Sequence, residues 1–167
     1  MRRLLLLLMV PAVLLGAACV PPKQPAPTPD PEVAECEQGV KVVTDFRPDL
    51  NIAPHTCADF GTIPCGPAAV WLGCYSFASD VILMNTHQPS VTQSQYADGF
   101  TEEQGHAWDD LRATQADRDR FIEIVGFYDV EAFAEAYRET VYHVPGNLPL
   151  DQQQREALCA DVMPCQP

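Results

Sequence analysis

The sequence predicts an α+β fold in which a small mixed sheet is followed by helices and stabilised by disulfides. Short apolar or β-branched runs at 40–46, 68–75 and 81–84 are typical of strands. From residue 91 onward, longer periodic segments separated by glycine and proline are typical of helices joined by turns. Six cysteines between residues 36 and 165 indicate a domain held by disulfides.

Residues 1–18 have the composition of an export signal. Arg2 and Arg3 form a basic start, an apolar core follows at 4–15, and small residues end the segment at 16–18. The apolar core is too short to cross a bilayer as a helix. The segment therefore predicts a secreted or envelope protein, whose mature part lies outside the cytoplasm.

The stretch 15–19, Leu-Gly-Ala-Ala-Cys, resembles the lipobox of bacterial lipoproteins. In that family the cysteine is lipidated and becomes the first residue of the mature chain, which implies that Cys19 anchors this protein to a membrane of the bacterial cell envelope. Val20 in the next position implies the outer membrane where two membranes exist. The alternative is an ordinary signal peptide that is cleaved after Ala18.

Residues 19–35 are predicted to be the lipid anchor and a proline-rich tether. A chain with many prolines favours extended conformations and acts as a spacer. The prolines of this segment are Pro21, Pro22, Pro25, Pro27, Pro29 and Pro31. The rest of the chain, 36–167, has the length of one domain with its own core.

The number of cysteines supports both lipidation of Cys19 and disulfide stabilisation of the domain, because setting Cys19 aside leaves an even number for disulfides. The remaining six are Cys36, Cys57, Cys65, Cys74, Cys159 and Cys165. Sequence alone does not choose their connectivity, and the local pairs Cys57–Cys65 and Cys159–Cys165 are the first to test. A zinc site made of cysteines is disfavoured, because the chain has no Cys-x-x-Cys pair.

The charge of the chain argues against two kinds of partner. Without Arg2 and Arg3, eight basic residues stand against twenty-three acidic ones, which gives a formal charge of −15. So acidic a protein is not expected to bind nucleic acid, nor to dock on anionic lipid by charge.

Within the domain, the predicted elements alternate with clear breaks. The segment 45–66 is predicted to be irregular, because prolines and glycines recur in it. Helices are predicted over 91–113, 116–124, 129–142 and 151–163, with Gly126 and Pro145 among the breaks between them.

The first of these helices carries ionisable residues at a spacing that metal chemistry uses. In a helix Glu102 and His106 lie four residues apart on one face, with Glu103 beside them. Zinc peptidases carry His-Glu-x-x-His on a helix, where two histidines bind the metal and the glutamate acts as general base. Here Glu103 and His106 match that pattern, while Glu102 stands in the place of the first histidine. The alternative is a solvated acidic face without a ligand.

A wider resemblance favours the metal site. The run 105–110, Gly-His-Ala-Trp-Asp-Asp, and the run 131–137, Glu-Ala-Phe-Ala-Glu-Ala-Tyr, resemble the paired motifs of the lethal-factor-like gluzincin metallopeptidases. That family carries His-Glu-x-Gly-His-Ala-x-Asp on one helix and Glu-x-Phe-Ala-Glu-Ala-Phe on a later one. The resemblance covers roughly residues 100–142 and implies a zincin-like α+β fold.

The resemblance also implies roles for individual residues. Glu102, His106 and Glu131 take the positions of the metal ligands, and Glu103 takes that of the general base. For Glu131 the alternative is an acidic residue placed at a helix N-terminus by the helix dipole.

Three further residues receive supporting roles from the same resemblance. Glu135 and Asp109 are expected to orient ligands by hydrogen bonding. For Asp109 the alternative is a helix cap or a salt bridge with Arg112. Tyr128 is expected to stabilise the oxyanion of the transition state.

The glutamate at position 102 alters the predicted chemistry. A dication held by two carboxylates and one histidine is formally neutral, so it polarises a bound water less than the family's site does. Zinc, manganese or calcium all suit such ligands, and a site without metal is the remaining alternative. Three functions stay open: a metallopeptidase with weakened activity, a pseudo-peptidase that binds a peptide or protein partner, and a structural envelope domain.

Overall fold

The computed structural model describes residues 30–61, 72–88 and 90–165. Within these residues, five α-helices pack around a three-stranded sheet, which confirms the α+β fold class. The helices are α1 (Pro31–Phe46), α2 (Gln93–Leu111), α3 (Gln115–Val125), α4 (Val130–Val141) and α5 (Gln152–Asp161), and the strands are β1 (His55–Ala58), β2 (Gly73–Ser76) and β3 (Val81–Asn85). The predicted signal segment, Cys19 and most of the predicted tether lie outside the described residues.

Helix α1 corrects two predictions. Asp30 caps it by accepting a hydrogen bond from the backbone N–H of Glu32, and Pro31 occupies the first turn, where its missing N–H is not needed. The helix includes 31–35, which was assigned to an extended tether, and 40–46, which was predicted to be a strand. The β-branched residues in 40–46 favoured a strand, but the buried residues of α1 follow a helical spacing: Cys36, Gly39, Val40 and Val43.

The sheet has the strand order β1-β3-β2, with β1 parallel and β2 antiparallel to β3. Strand β3 confirms the prediction for 81–84, and β2 confirms the end of the run 68–75, whose first four residues are not described. Strand β1 lies in the segment that was predicted to be irregular, which also contains a short 3₁₀ turn at Pro48–Leu50. A four-residue strand of His-Thr-Cys-Ala carries too little apolar pattern to be found by sequence alone.

The four predicted helices of the second half are confirmed within two residues at each end. Threonine caps begin α2 and α3, at Thr92 and Thr114, and each forms a capping box with the residue three positions later. Aspartate caps begin α4 and α5. Gly126 ends α3 with a positive φ of 99°, a conformation that favours glycine.

Helix α2 lies at the centre of the fold, packed between α1 and α4 and against β2 and β3. A Cβ atom on Gly105 of α2 would lie 2.7 Å from Cα of Ala134, so a side chain there would push α4 away. The same glycine is part of the motif that resembles the metallopeptidases. The close approach of α2 to α4 brings together the two helices that carry the predicted metal ligands.

The described cysteines confirm disulfide stabilisation. Cys36 bonds Cys57 and so ties α1 to β1, while Cys159 bonds Cys165, one of the two local pairs that the sequence put first to test. Cys74 is also disulfide-bonded. The local pair of Cys57 with Cys65, one of the first two to test, is not formed, because α1 brings Cys36 to Cys57 of β1. Cys65 itself lies outside the described residues.

Candidate metal site

The structure brings Glu102, His106 and Glu131 together. Each offers one ligand atom, and the three atoms lie within 4.8 Å of one another. Glu102 and His106 share a face of α2 because they are four residues apart, and Glu131 approaches from the first turn of α4. Nε2 of His106 lies 3.4 Å from Oε2 of Glu131. This arrangement is the one that the motif resemblance implies.

The ring of His106 is buried, with 7 % of the residue exposed. Its Nδ1 atom is buried and has no hydrogen-bond partner within the described residues. A histidine that binds a metal through one nitrogen usually donates the other N–H to a carboxylate or carbonyl. The predicted partner, Asp109, does not take this role.

Asp109 instead belongs to a separate network one turn further along α2. Its carboxylate accepts hydrogen bonds from Nε of Arg118 at 2.8 Å and from the hydroxyl of Tyr128 at 2.5 Å. Arg118 also donates to the backbone carbonyl of Asp109. The prediction that Asp109 orients His106 is therefore wrong, because Arg118 of α3 competes for it, and sequence does not show how α3 folds back.

Tyr128 is engaged in the same network. Its ring packs against Phe121 and Phe133, and its hydroxyl proton is donated to Asp109. Burial and this hydrogen bond raise the pKa of the Tyr128 phenol. In this conformation the hydroxyl stabilises the junction of α2 and α3, and the role in transition-state stabilisation stays a prediction.

Glu103 lies beside the three ligands and is also buried, with 7 % of the residue exposed. Burial, together with the negative charges of Glu102 and Glu131, raises its pKa to about 8, although a hydrogen bond from the backbone of Tyr75 acts in the opposite direction. Gly73 of β2 makes room for this side chain, because a Cβ atom there would lie 3.1 Å from Cγ of Glu103. A carboxyl group with a pKa near neutrality suits the predicted role of a general base.

Glu135 was predicted to orient a metal ligand, but it binds the loop after α4 instead. It accepts hydrogen bonds from the backbone N–H of Asn147 at 2.9 Å and from the side-chain amide of Asn147 at 3.1 Å. A Cβ atom on Gly146 would lie 2.3 Å from Oε2 of Glu135, so the glycine allows this contact. The loop after α4 returns along the helix and brings Asn147 to Glu135, which the sequence does not indicate.

Arg138 is part of the site and was not found by sequence reasoning. Its Nη1 atom donates to Oε2 of Glu102 at 2.8 Å, and its Nη2 atom donates to the carbonyl of Pro145 at 2.7 Å. The available signal was its position two helical turns after Glu131, which places both residues on the same side of α4.

A cavity of about 460 Å³ opens next to these residues. Glu102, Glu103 and Arg138 line it together with Leu72, Gly73, Gln95, Asp98 and Gly99. The candidate base and one candidate ligand therefore face a space that a peptide side chain or a small molecule can enter.

The donor set of the site fits a divalent cation. Two carboxylates and one imidazole supply oxygen and nitrogen ligands and two negative charges, a combination suited to zinc or manganese and, through its oxygens, to calcium. Nδ1 of His106, which has no partner among the described residues, departs from a fully supported metal site.

Comparison of the chain with protein families, curated proteins and solved structures finds no match. Among the described helices, none has the length and apolar character needed to cross a membrane.

Proposed function

We propose that this chain is a lipid-anchored protein of the bacterial envelope whose domain resembles a zinc metallopeptidase and binds a divalent cation at an altered site. Glu102, His106 and Glu131 hold the cation, and the change at position 102 leaves proteolysis weak or absent. The convergence of these three side chains from two helices is the observation that supports the proposal. The predicted export signal and the stretch that resembles a lipobox support the location.

The residues around the site have distinct tasks in this proposal. When bound, the cation supplies a Lewis acid that polarises water or a peptide carbonyl. Glu103, buried beside the candidate ligands, would be the group that holds or accepts a proton there, and its raised pKa places that exchange near neutral pH. The cavity beside Glu103 receives the peptide.

Metal binding tests the proposal directly. Purified protein of residues 19–167 in which Cys19 is replaced by serine is stripped with chelator, and its affinity for zinc, manganese and calcium is measured by calorimetry. We expect one cation per chain, with binding lost in His106→Ala and in Glu131→Gln. Glu123→Gln changes an exposed glutamate of α3 that pairs with Arg120, and it is the matched control that keeps binding. Absence of binding by the parent protein would refute the metal site.

Three observations favour a second candidate, a pseudo-peptidase that binds a peptide or protein without cleaving it. The hydroxyl of Tyr128 is held by Asp109, Nδ1 of His106 has no partner in the described part of the chain, and Glu102 is paired with Arg138. A peptide-library cleavage assay with metal-loaded protein separates the candidates. Cleavage that disappears in Glu103→Gln supports the peptidase, and metal binding without cleavage supports the pseudo-peptidase.

The location has its own test. In full-length protein expressed in a bacterium with two membranes, Cys19→Ala should block processing or release the protein from the outer-membrane fraction. Unchanged processing and membrane partition of this variant would contradict lipid anchoring.

A further inference from the structure

Arg138 forms an ion pair with a candidate metal ligand in a largely enclosed place. The side chains of Arg138 and Glu102 are 17 % and 26 % exposed, and Nη1 lies 2.8 Å from Oε2. The second bond of Arg138, to the carbonyl of Pro145, fixes the guanidinium against the loop after α4. Because the arginine is held at two points, its charge stays beside Glu102 instead of moving into solvent.

The pair changes the charge of the site. Glu102 and Glu131 carry one negative charge each and Arg138 one positive charge, so with a neutral His106 the four side chains sum to −1. In the metallopeptidases that the motif resembles, the two neutral histidines and one glutamate that bind the metal also sum to −1. Glu102 together with Arg138 is therefore electrically equivalent to the neutral histidine whose place Glu102 takes.

We propose that Arg138 is a charge-compensating residue of the metal site, which pairs with Oε2 of Glu102 and offsets the charge of the additional carboxylate. The inference rests on the proposed metal site. It implies that Glu102 and Arg138 act as a unit, and that the positive charge of Arg138 limits how tightly any dication is held.

The consequence is measurable without catalysis. Removing the guanidinium charge with Arg138→Gln should tighten binding of both zinc and manganese by about tenfold or more, since a positive charge beside the site is lost. Arg138→Lys keeps the charge and should stay within about threefold of the parent. If Arg138→Gln does not fold, Arg138→Met tests the same charge removal with a side chain that keeps the apolar stem.

A matched control separates charge from loop position. Asn147→Ala removes the side-chain bond to Glu135 and so loosens the loop that Arg138 also holds, without changing any charge. We expect its metal affinity to equal that of the parent. Similar tightening in Asn147→Ala and Arg138→Gln would show that the loop, and not the charge, controls affinity, which would overturn the inference.

A second comparison tests whether the two residues act together. In Glu102→His the guanidinium loses its carboxylate partner, so adding Arg138→Gln should tighten zinc binding further. Unchanged or weaker binding in every Arg138 variant refutes the inference while leaving the metal site intact. Failure of the parent protein to bind any dication refutes the proposed function instead, so the two failures are distinguishable.

Discussion

Buried polar groups on two successive turns of α2 differ in their hydrogen bonding. At Asp109, both carboxylate oxygens accept hydrogen bonds, from Arg118 and Tyr128. One turn earlier, Nδ1 of the buried His106 has no partner within the described residues, and Glu103 sits in a place that raises its pKa to about 8. The same helix thus carries a hydrogen-bonded network and, next to a cavity, a histidine nitrogen without a partner among the described residues and a buried carboxyl group with a raised pKa.

The contrast distinguishes polar residues that stabilise the fold from polar residues that are candidates for binding or catalysis. Buried polar groups are normally paired, because an unpaired one costs free energy of folding. The Asp109 network therefore stabilises the junction of α2 with α3. The His106 and Glu103 environment costs stability in the absence of a ligand, and such sites are where binding and catalysis are usually found.

The largest expected effect is the loss of stability when the Asp109 network is disrupted. Asp109→Ala removes the carboxylate that accepts hydrogen bonds from Arg118 and Tyr128, and we expect it to lower the free energy of unfolding by about 3–4 kcal/mol. Urea denaturation in the presence of chelator measures the change. Asp119→Ala alters an exposed aspartate of α3 and should stay within about 0.5 kcal/mol of the parent. Equal effects for the two variants would contradict a stabilising role for the Asp109 network.

The sequence predicted the fold best where the signal is local. The helices of the second half begin at threonine and aspartate caps, and α3 ends at Gly126, so their bounds could be read directly. Helix α1 was missed because Val40, Val42 and Val43 favour a strand, while the cap at Asp30 lies next to a proline-rich run. Strand β1 depends on pairing with β3, which is a distant contact that the sequence does not encode locally.

The same distinction applies to the site. Glu102, Glu103 and His106 are neighbours along one helix, and Glu131 follows from the resemblance, so these residues could be named before the structure was known. The partners of Asp109, Glu135 and Arg138 depend on how α3 and the loop after α4 fold back. Sequence reasoning gave the first two residues roles that the structure does not support, and it did not find Arg138.

The second prediction concerns the pH dependence of stability that the buried carboxyl group of Glu103 causes. With metal removed, Glu103 has a folded pKa of about 8, because it is buried and near the charges of Glu102 and Glu131, while the unfolded chain has an ordinary glutamate. The folded protein therefore binds the proton more tightly, and its stability falls as pH rises from the unfolded pKa toward 8. Between pH 5 and pH 7 this loss is about 2–3 kcal/mol.

Glu103→Gln removes the titrating group and should remove this part of the pH dependence. Unfolding free energies of the parent and the variant, measured at several pH values in chelator, provide the check. The difference between the proteins should grow from pH 5 to pH 7 in favour of the variant. A difference that does not change with pH would show that the Glu103 carboxyl has an ordinary pKa in the folded protein.

The smallest expected effect concerns His106, where metal affinity and stability should separate. Leucine has a volume similar to that of histidine and carries no polar atom, so His106→Leu fills the same space and removes the unpartnered Nδ1. In chelator we expect the variant to be as stable as the parent or more stable by up to about 1 kcal/mol. In the parent, zinc at about a hundred times its dissociation constant should add about 2.7 kcal/mol to the unfolding free energy, and in His106→Leu it should add nothing. A histidine that only filled the core would give the reverse pattern, with stability lost in chelator and the effect of zinc unchanged.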